Sequence, residues 1–114
     1  MPLVSLHTNA ELSKDQEITI ARQLSTLASH QLGKPEQWVM IRVAAGQSMI
    51  HAGSEALCAY LECKSIGLNE AQIPALSKAI SSLLQQQLHI DPARVYIEFA
   101  SAQAQHWGWN GGTF

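Results

Sequence analysis

Two residues of this 114-residue chain could do chemistry together. Pro2 follows Met1, and a small side chain at the second position normally permits removal of the initiator methionine. Cleavage would leave a secondary amine at the head of a predicted strand. Lys34 immediately precedes Pro35, at the start of the second predicted strand. If those two strands are parallel, their starts lie at one end of the sheet, and Pro2 and Lys34 are neighbours. Two like charges about 7 Å apart in an effective dielectric of about 20 repel by roughly 2.4 kcal/mol, about two pKa units. Burial of an amine acts in the same direction. A Pro2 nitrogen held in this way is neutral near pH 7 and can act as a base. Taken singly, a proline at position 2 is common and a loop lysine is usually solvated; the pairing gives them weight.

Other chemistries find no matching pattern. The chain lacks a Gly-rich phosphate loop, a dinucleotide fingerprint and a His-Glu-x-x-His pair. Its histidines, His7, His30, His51, His89 and His106, are scattered, so no metal site is expected. Ser54-Glu55 does not form a nucleophile elbow. Cys58-Ala59-Tyr60-Leu61 lacks the second sulfur of a redox Cys-x-x-C, and Cys63 falls five residues after Cys58, on the opposite face of a regular strand. Both cysteines read as buried free thiols.

Composition bounds the rest. At 114 residues the chain is expected to be one domain, 1–114, burying roughly 65% of its unfolded surface. Seven Lys and Arg against nine Asp and Glu leave a net charge of −2, with no basic stripe for nucleic acid. The 46% hydrophobic content is incompatible with a disordered chain, and no apolar run is long enough for a bilayer. Met1-Pro2-Leu3-Val4 shows no secretory signal. A cytoplasmic protein is expected, with release by a non-classical route left open.

The elements that must position Pro2 and Lys34 come from an internal repeat, roughly 2–56 and 57–114. Shifted by 56, Ser25 meets Ser81, Leu27 meets Leu83, Gln31 meets Gln87, Leu32 meets Leu88, Val39 meets Val95, Ile41 meets Ile97 and Ala44 meets Ala100, all identities. Arg22 with Lys78 and Leu24 with Ile80 are conservative matches, and no gap is needed. Each copy reads as strand, helix, strand. The first helix repeats Ile20, Leu24, Leu27 and Ala28; the second repeats Ile73, Leu76, Ile80, Leu83, Leu84 and Leu88. Ser13 with Glu17 marks the first helix start, Gly33 its end, and Asn69 and Pro74 the start of the second. Strands are expected at 3–7, 38–44, 57–64 and 94–100. Val39, Ile41 and Val43 share one face, as do Val95, Ile97 and Phe99; Met40, Arg42, Tyr96 and Glu98 lie opposite. Each unit pairs its strands in parallel through a right-handed crossover. The expected architecture is a two-layer α/β sandwich, a four-stranded mixed sheet with both helices on one face. The bare face and open edges predict a homo-oligomer.

With these residues in place, the chain resembles the macrophage migration inhibitory factor and D-dopachrome tautomerase family. Pro2, Gly33-Lys34-Pro35, Ser65-Ile66-Gly67, Arg94-Val95-Tyr96-Ile97, Gly108-Trp109-Asn110 and Thr113-Phe114 carry the likeness, over nearly the whole chain. The resemblance implies a homotrimer around a central channel, with active sites at subunit interfaces. It implies cofactor-independent keto–enol tautomerisation of phenylpyruvate-type α-keto acids and dopachrome analogues, an intramolecular oxidoreduction. Pro2 would be the general base, Lys34 and the Ile66 backbone would hold the substrate's oxygens, and Tyr96 of a neighbouring subunit would orient its aromatic end. Trp107 and Trp109 would wall the pocket.

The chain departs from the family pattern in four places. Glu98 stands where members commonly have Asn, and would partly cancel Lys34 and oppose an anionic substrate. Trp107 replaces a smaller aliphatic residue, and Trp38 a common Tyr. Leu61 breaks the Cys-x-x-C of some animal members. Two rival readings follow. One is a cytokine-like binding protein with a vestigial pocket, recognising a host receptor. The other is dehalogenation or decarboxylation with the same proline, which would require an arginine; Arg42 is the one candidate on the open face, and is expected to pair with Glu98.

Overall fold

A computed structural model describes residues 1–114. The elements run β1 (Leu3–Thr8), α1 (Lys14–Leu32), β2 (Met40–Ala44), β3 (Ala59–Ile66), α2 (Ile73–Leu88), β4 (Val95–Ala102), β5 (Gly108–Trp109) and β6 (Gly112–Thr113). Short 3₁₀ turns at Glu36–Trp38, Glu70–Gln72, Pro92–Arg94 and Ala104–His106 lead from one element to the next.

Local chemistry sets the helix ends. Ser13 Oγ accepts from the Gln16 N–H at 3.1 Å, and Gln16 Oε1 accepts from the Ser13 N–H at 2.8 Å, a reciprocal capping box. Gln16, rather than the expected Glu17, closes it; Glu17 instead meets Lys14 at 3.4 Å on the surface. At the other end Gly33 takes φ 63°, the left-handed conformation that stops a helix. Pro74 sits in the first turn of α2, where no N–H is needed. Asn69 caps the 3₁₀ turn ahead of α2, accepting from the Ala71 N–H at 3.0 Å, rather than α2 itself. His89 ends α2 at φ 59°.

The sheet order is β2-β1-β3-β4. β1 pairs with β2 in parallel, β3 with β4 in parallel, and β1 with β3 antiparallel. The two parallel pairs are the two expected repeats. Their registers differ by one residue, because Val4 faces Ile41 whereas Leu61 faces Ile97. The ungapped shift of 56 therefore holds for helix and second strand, and the first strands align at 57. The expected strand limits also move: Trp38 belongs to a 3₁₀ turn, and β3 begins at Ala59 and runs on to Ile66.

Alternation sorts each strand into two faces. Val4 and Leu6 of β1 and Ala59, Leu61 and Cys63 of β3 are buried against Ile20, Leu24 and Ala28 of α1 and Leu76, Ile80 and Leu84 of α2. Each of the fully buried Leu and Ile side chains contributes about 1.5–3 kcal/mol relative to exposure. Ile41, Val43, Val95, Ile97 and Phe99 extend this core under the outer strands. The opposite face carries no helix. Register places Arg42, Ser5, Glu62 and Glu98 in one row across it, from β2 to β4. Glu62 is paired with Lys64 at 3.1 Å. The expected Arg42–Glu98 pair does not form within the chain: the two residues occupy opposite edge strands, about 14 Å apart by strand spacing.

Candidate active site

Pro2 ends in a buried position just ahead of β1, its carbonyl accepting from the Met40 N–H at 3.0 Å. That bond ties the heads of β1 and β2 together. Because the strands are parallel, the loop leaving α1 delivers Lys34 to the same end. Its ammonium donates to the Ile66 carbonyl at 2.6 Å, at the C-terminal end of β3, which the antiparallel β1–β3 pairing brings alongside the head of β1. Three of the expected site residues, Pro2, Lys34 and Ile66, thus meet at one end of the sheet.

The electrostatics follow from that placement. Met1 carries the terminal amine here, and the amine is lowered from 8.0 to about 6, first by burial, then by the Lys34 charge, then by a hydrogen bond with Lys34. With Met1 attached the Pro2 nitrogen is an amide and has no basic lone pair. With Met1 removed, the secondary amine would begin one residue further in, within the same lysine-flanked corner.

A cleft of about 250 Å³ opens beside Pro2, lined by Met1, Trp38, Met40, Trp107, Trp109 and Phe114 among others. Its far wall is built by the C-terminal hairpin. Asn110 and Gly111, at φ 51° and 79°, make the tight turn that folds β6 back on β5. The Trp109 ring stacks on Phe114 with centroids 5.3 Å apart, and Trp38 meets both edge-on, at 5.0 and 5.5 Å. Trp107 and Trp109 both line this cleft. Trp38 and Phe114 complete the wall and were not among the expected site residues. An aromatic residue two positions before β2 and another at the last position were the available signals.

Tyr96 and Glu98 are not in this cleft. Both are exposed on β4, an outer strand. Tyr96 lies level with Tyr60 and His7, at the end of the sheet away from Pro2. Its ring meets His51 edge-on at 5.0 Å. Nothing in the chain brings Glu98 to Lys34. The cysteines are free and buried, as expected, and no cluster of His, Cys, Asp and Glu has metal-ligand geometry. No helix is long and apolar enough to cross a membrane.

The repeated β-α-β sandwich thus places a terminal amine, a lysine and an aromatic cleft at the head of its parallel strands. The chain belongs to the macrophage migration inhibitory factor family: the family model described as Macrophage migration inhibitory factor (MIF) matches residues 1–114. It is 36% identical to the rat macrophage migration inhibitory factor over 115 residues, covering 100% of this chain and 99% of the relative. The crystal structure of a homologue from Prochlorococcus marinus superposes with a TM-score of 0.93 at 33% identity, covering 98% of each chain. That of a MIF-like protein from Entamoeba histolytica gives 0.94 at 23% identity, covering 99% and 98%, and speaks for the fold alone. Family membership supports isomerase-type activity at a coarse level.

Proposed function

We propose that the chain, after loss of Met1, is a keto–enol tautomerase of phenylpyruvate-type α-keto acids and dopachrome analogues, with Pro2 as general base. The observation that carries this reading is the corner at the head of β1, where burial and a lysine anchored on Ile66 push the Met1 amine, one residue ahead of Pro2, down to about 6. The neutral Pro2 nitrogen takes the proton from the carbon next to the keto group. The electron pair of that C–H bond becomes the enol double bond, and the carbonyl pair moves onto oxygen. The positive Lys34 favours the oxygen's developing charge and the substrate carboxylate. The proton then passes from the Pro2 ammonium to the enolate oxygen, restoring the base. The Trp38–Trp109–Phe114 wall packs the substrate's ring and keeps water from the corner, which strengthens both effects. No cofactor is needed, because the reaction moves only a proton and electron pairs.

In this reading the working form is a homotrimer. Tyr96 and Glu98, remote from the cleft in one chain, would reach it from a neighbour. The open sheet face and free edges favour this assembly, as does membership of the family. The test joins intact mass, which reports methionine removal, to phenylpyruvate enolisation on the same sample. Pro2→Gly is expected to lower turnover by about two to four orders of magnitude, the usual worth of a positioned base, with assembly intact. Undiminished turnover would refute Pro2 as the base. The name of the rat relative supports a second reading, a cytokine-like protein that binds a receptor through its surface. That activity would survive Pro2→Gly.

A further inference from the structure

The two edges of the sheet are charged in opposite senses. On the open face, β2 presents Met40 and Arg42, and β4 presents Tyr96 and Glu98. Met40 and Tyr96 are each 65% exposed. The internal repeat equates these positions: a shift of 56 carries Met40 onto Tyr96 and Arg42 onto Glu98. The two copies have thus kept a bulky apolar residue at one position and taken opposite charges two residues on. Neither Arg42 nor Glu98 has an ion-pair partner in the chain, whereas the neighbouring Glu62 is already held by Lys64.

We propose that Arg42 of one protomer pairs with Glu98 of its neighbour, and that this pair selects the contact between unlike sheet edges. This rests on the trimeric reading above. An edge joined to its own copy would set Arg42 against Arg42, or Glu98 against Glu98. Joining β2 of one chain to β4 of the next sets opposite charges together, with Met40 and Tyr96 as the flanking apolar pair. Such a contact is head-to-tail, and where its rotation closes, as the trimeric reading requires, its repetition makes a ring. The pairing also answers the objection that Glu98 raises at the site. A carboxylate engaged by Arg42 no longer cancels Lys34 or repels an anionic substrate.

The experiment is a charge swap followed by sedimentation velocity without substrate. Wild type is expected as a trimer. Arg42→Glu and Glu98→Arg, each alone, should weaken assembly by about tenfold in concentration while far-UV circular dichroism is retained, since both side chains are exposed. The double variant should reassemble. Single variants that assemble like wild type, a double variant that fails to recover, or a monomeric wild type would each overturn the pair. Because the two residues sit on opposite edges of one chain, damage within the chain is not repaired by the swap, so recovery reports contact between copies. A fully active Pro2→Gly trimer that still responds to the swap would refute the catalytic reading and leave the interface standing.

Discussion

Ser29 holds Lys34 by both backbone groups. Its hydroxyl donates to the Lys34 carbonyl at 2.6 Å, and its own carbonyl accepts from the Lys34 N–H at 3.1 Å. The last turn of α1 and the left-handed Gly33 thereby set the direction in which the lysine leaves the helix. Ser29→Ala should leave a half-buried carbonyl short of a partner and cost about 1–2 kcal/mol in urea unfolding. It should also raise KM for phenylpyruvate more than it lowers kcat, because the lysine's starting point moves while Pro2 does not. An unchanged KM would show that the Ile66 bond alone positions Lys34.

The corner makes a prediction about pH. The Met1 amine ahead of β1 is lowered to about 6, with burial the largest cause and Lys34 the next; in the processed chain the same corner acts on the Pro2 amine in the same direction. Only the neutral amine accepts a proton, so in the processed chain kcat/KM should rise with pH through the lowered pKa of the Pro2 amine and level off above it. Lys34→Met removes the charge and the hydrogen bond but leaves burial. The rising limb should therefore move up by about one unit, whatever the separate loss in substrate binding. A limb that stays where it is in the unsubstituted protein would remove Lys34 from control of the base.

The ends of the sheet were readable in the chain because parallel pairing is a consequence of a strand-helix-strand unit, and parallel strands begin together. Pro2 and Lys34 needed only that rule. Ile66 was not placed in this way: it came with the family likeness, and its carbonyl reaches Lys34 through the antiparallel β1–β3 pairing, which no local pattern encodes. Ser29 was invisible because a serine on a helix's half-buried side looks like any surface residue until the chain beyond Gly33 turns back. Phe114 was likewise hidden, since its contact with Trp38 depends on a hairpin folding across the mouth of the sheet. The one-residue difference between the repeats escaped notice because helix and second strand align without a gap.

Burial pushes the Cys63 thiol up to about 11, from 9.0. Its side chain lies in the core between Leu61 and Ser65, with no exposed surface. A thiol-reactive disulfide reagent at pH 8 should leave the native protein unmodified and react with both cysteines once guanidinium unfolds it. The raised value has a second consequence. Between 9 and 11 the unfolded chain loses the proton that the folded chain keeps, so this contribution to stability is full below 9 and disappears as pH rises through 11. Cys63→Ala should flatten that part of the stability profile, as read by urea unfolding across the range. Rapid native labelling of Cys63 would contradict the assigned burial.

Arg94 locks the loop between β2 and β3. Its Nε donates to the Leu57 carbonyl at 2.9 Å, Nη1 to His51 at 3.1 Å, and Nη2 to Ser54 at 3.1 Å and Ala56 at 3.0 Å. Beyond a single bridge between His51 and Ser54 and a bond from the Asn9 side chain to the Ala56 carbonyl at 3.2 Å, nothing else in the chain serves these carbonyls. The planar fork of a guanidinium can serve all four; an ammonium on a flexible stem cannot. Arg94→Lys should therefore cost about 2–3 kcal/mol although the charge is kept. The loss should be local, appearing first as protease cleavage between 51 and 57. Because His51 packs edge-on against Tyr96 at 5.0 Å, the same loop steadies the ring proposed to reach a neighbour's cleft. Loosening it should raise KM for aromatic α-keto acids more than for pyruvate, which has no ring to orient. Equal losses for both substrates would confine Arg94 to holding the loop.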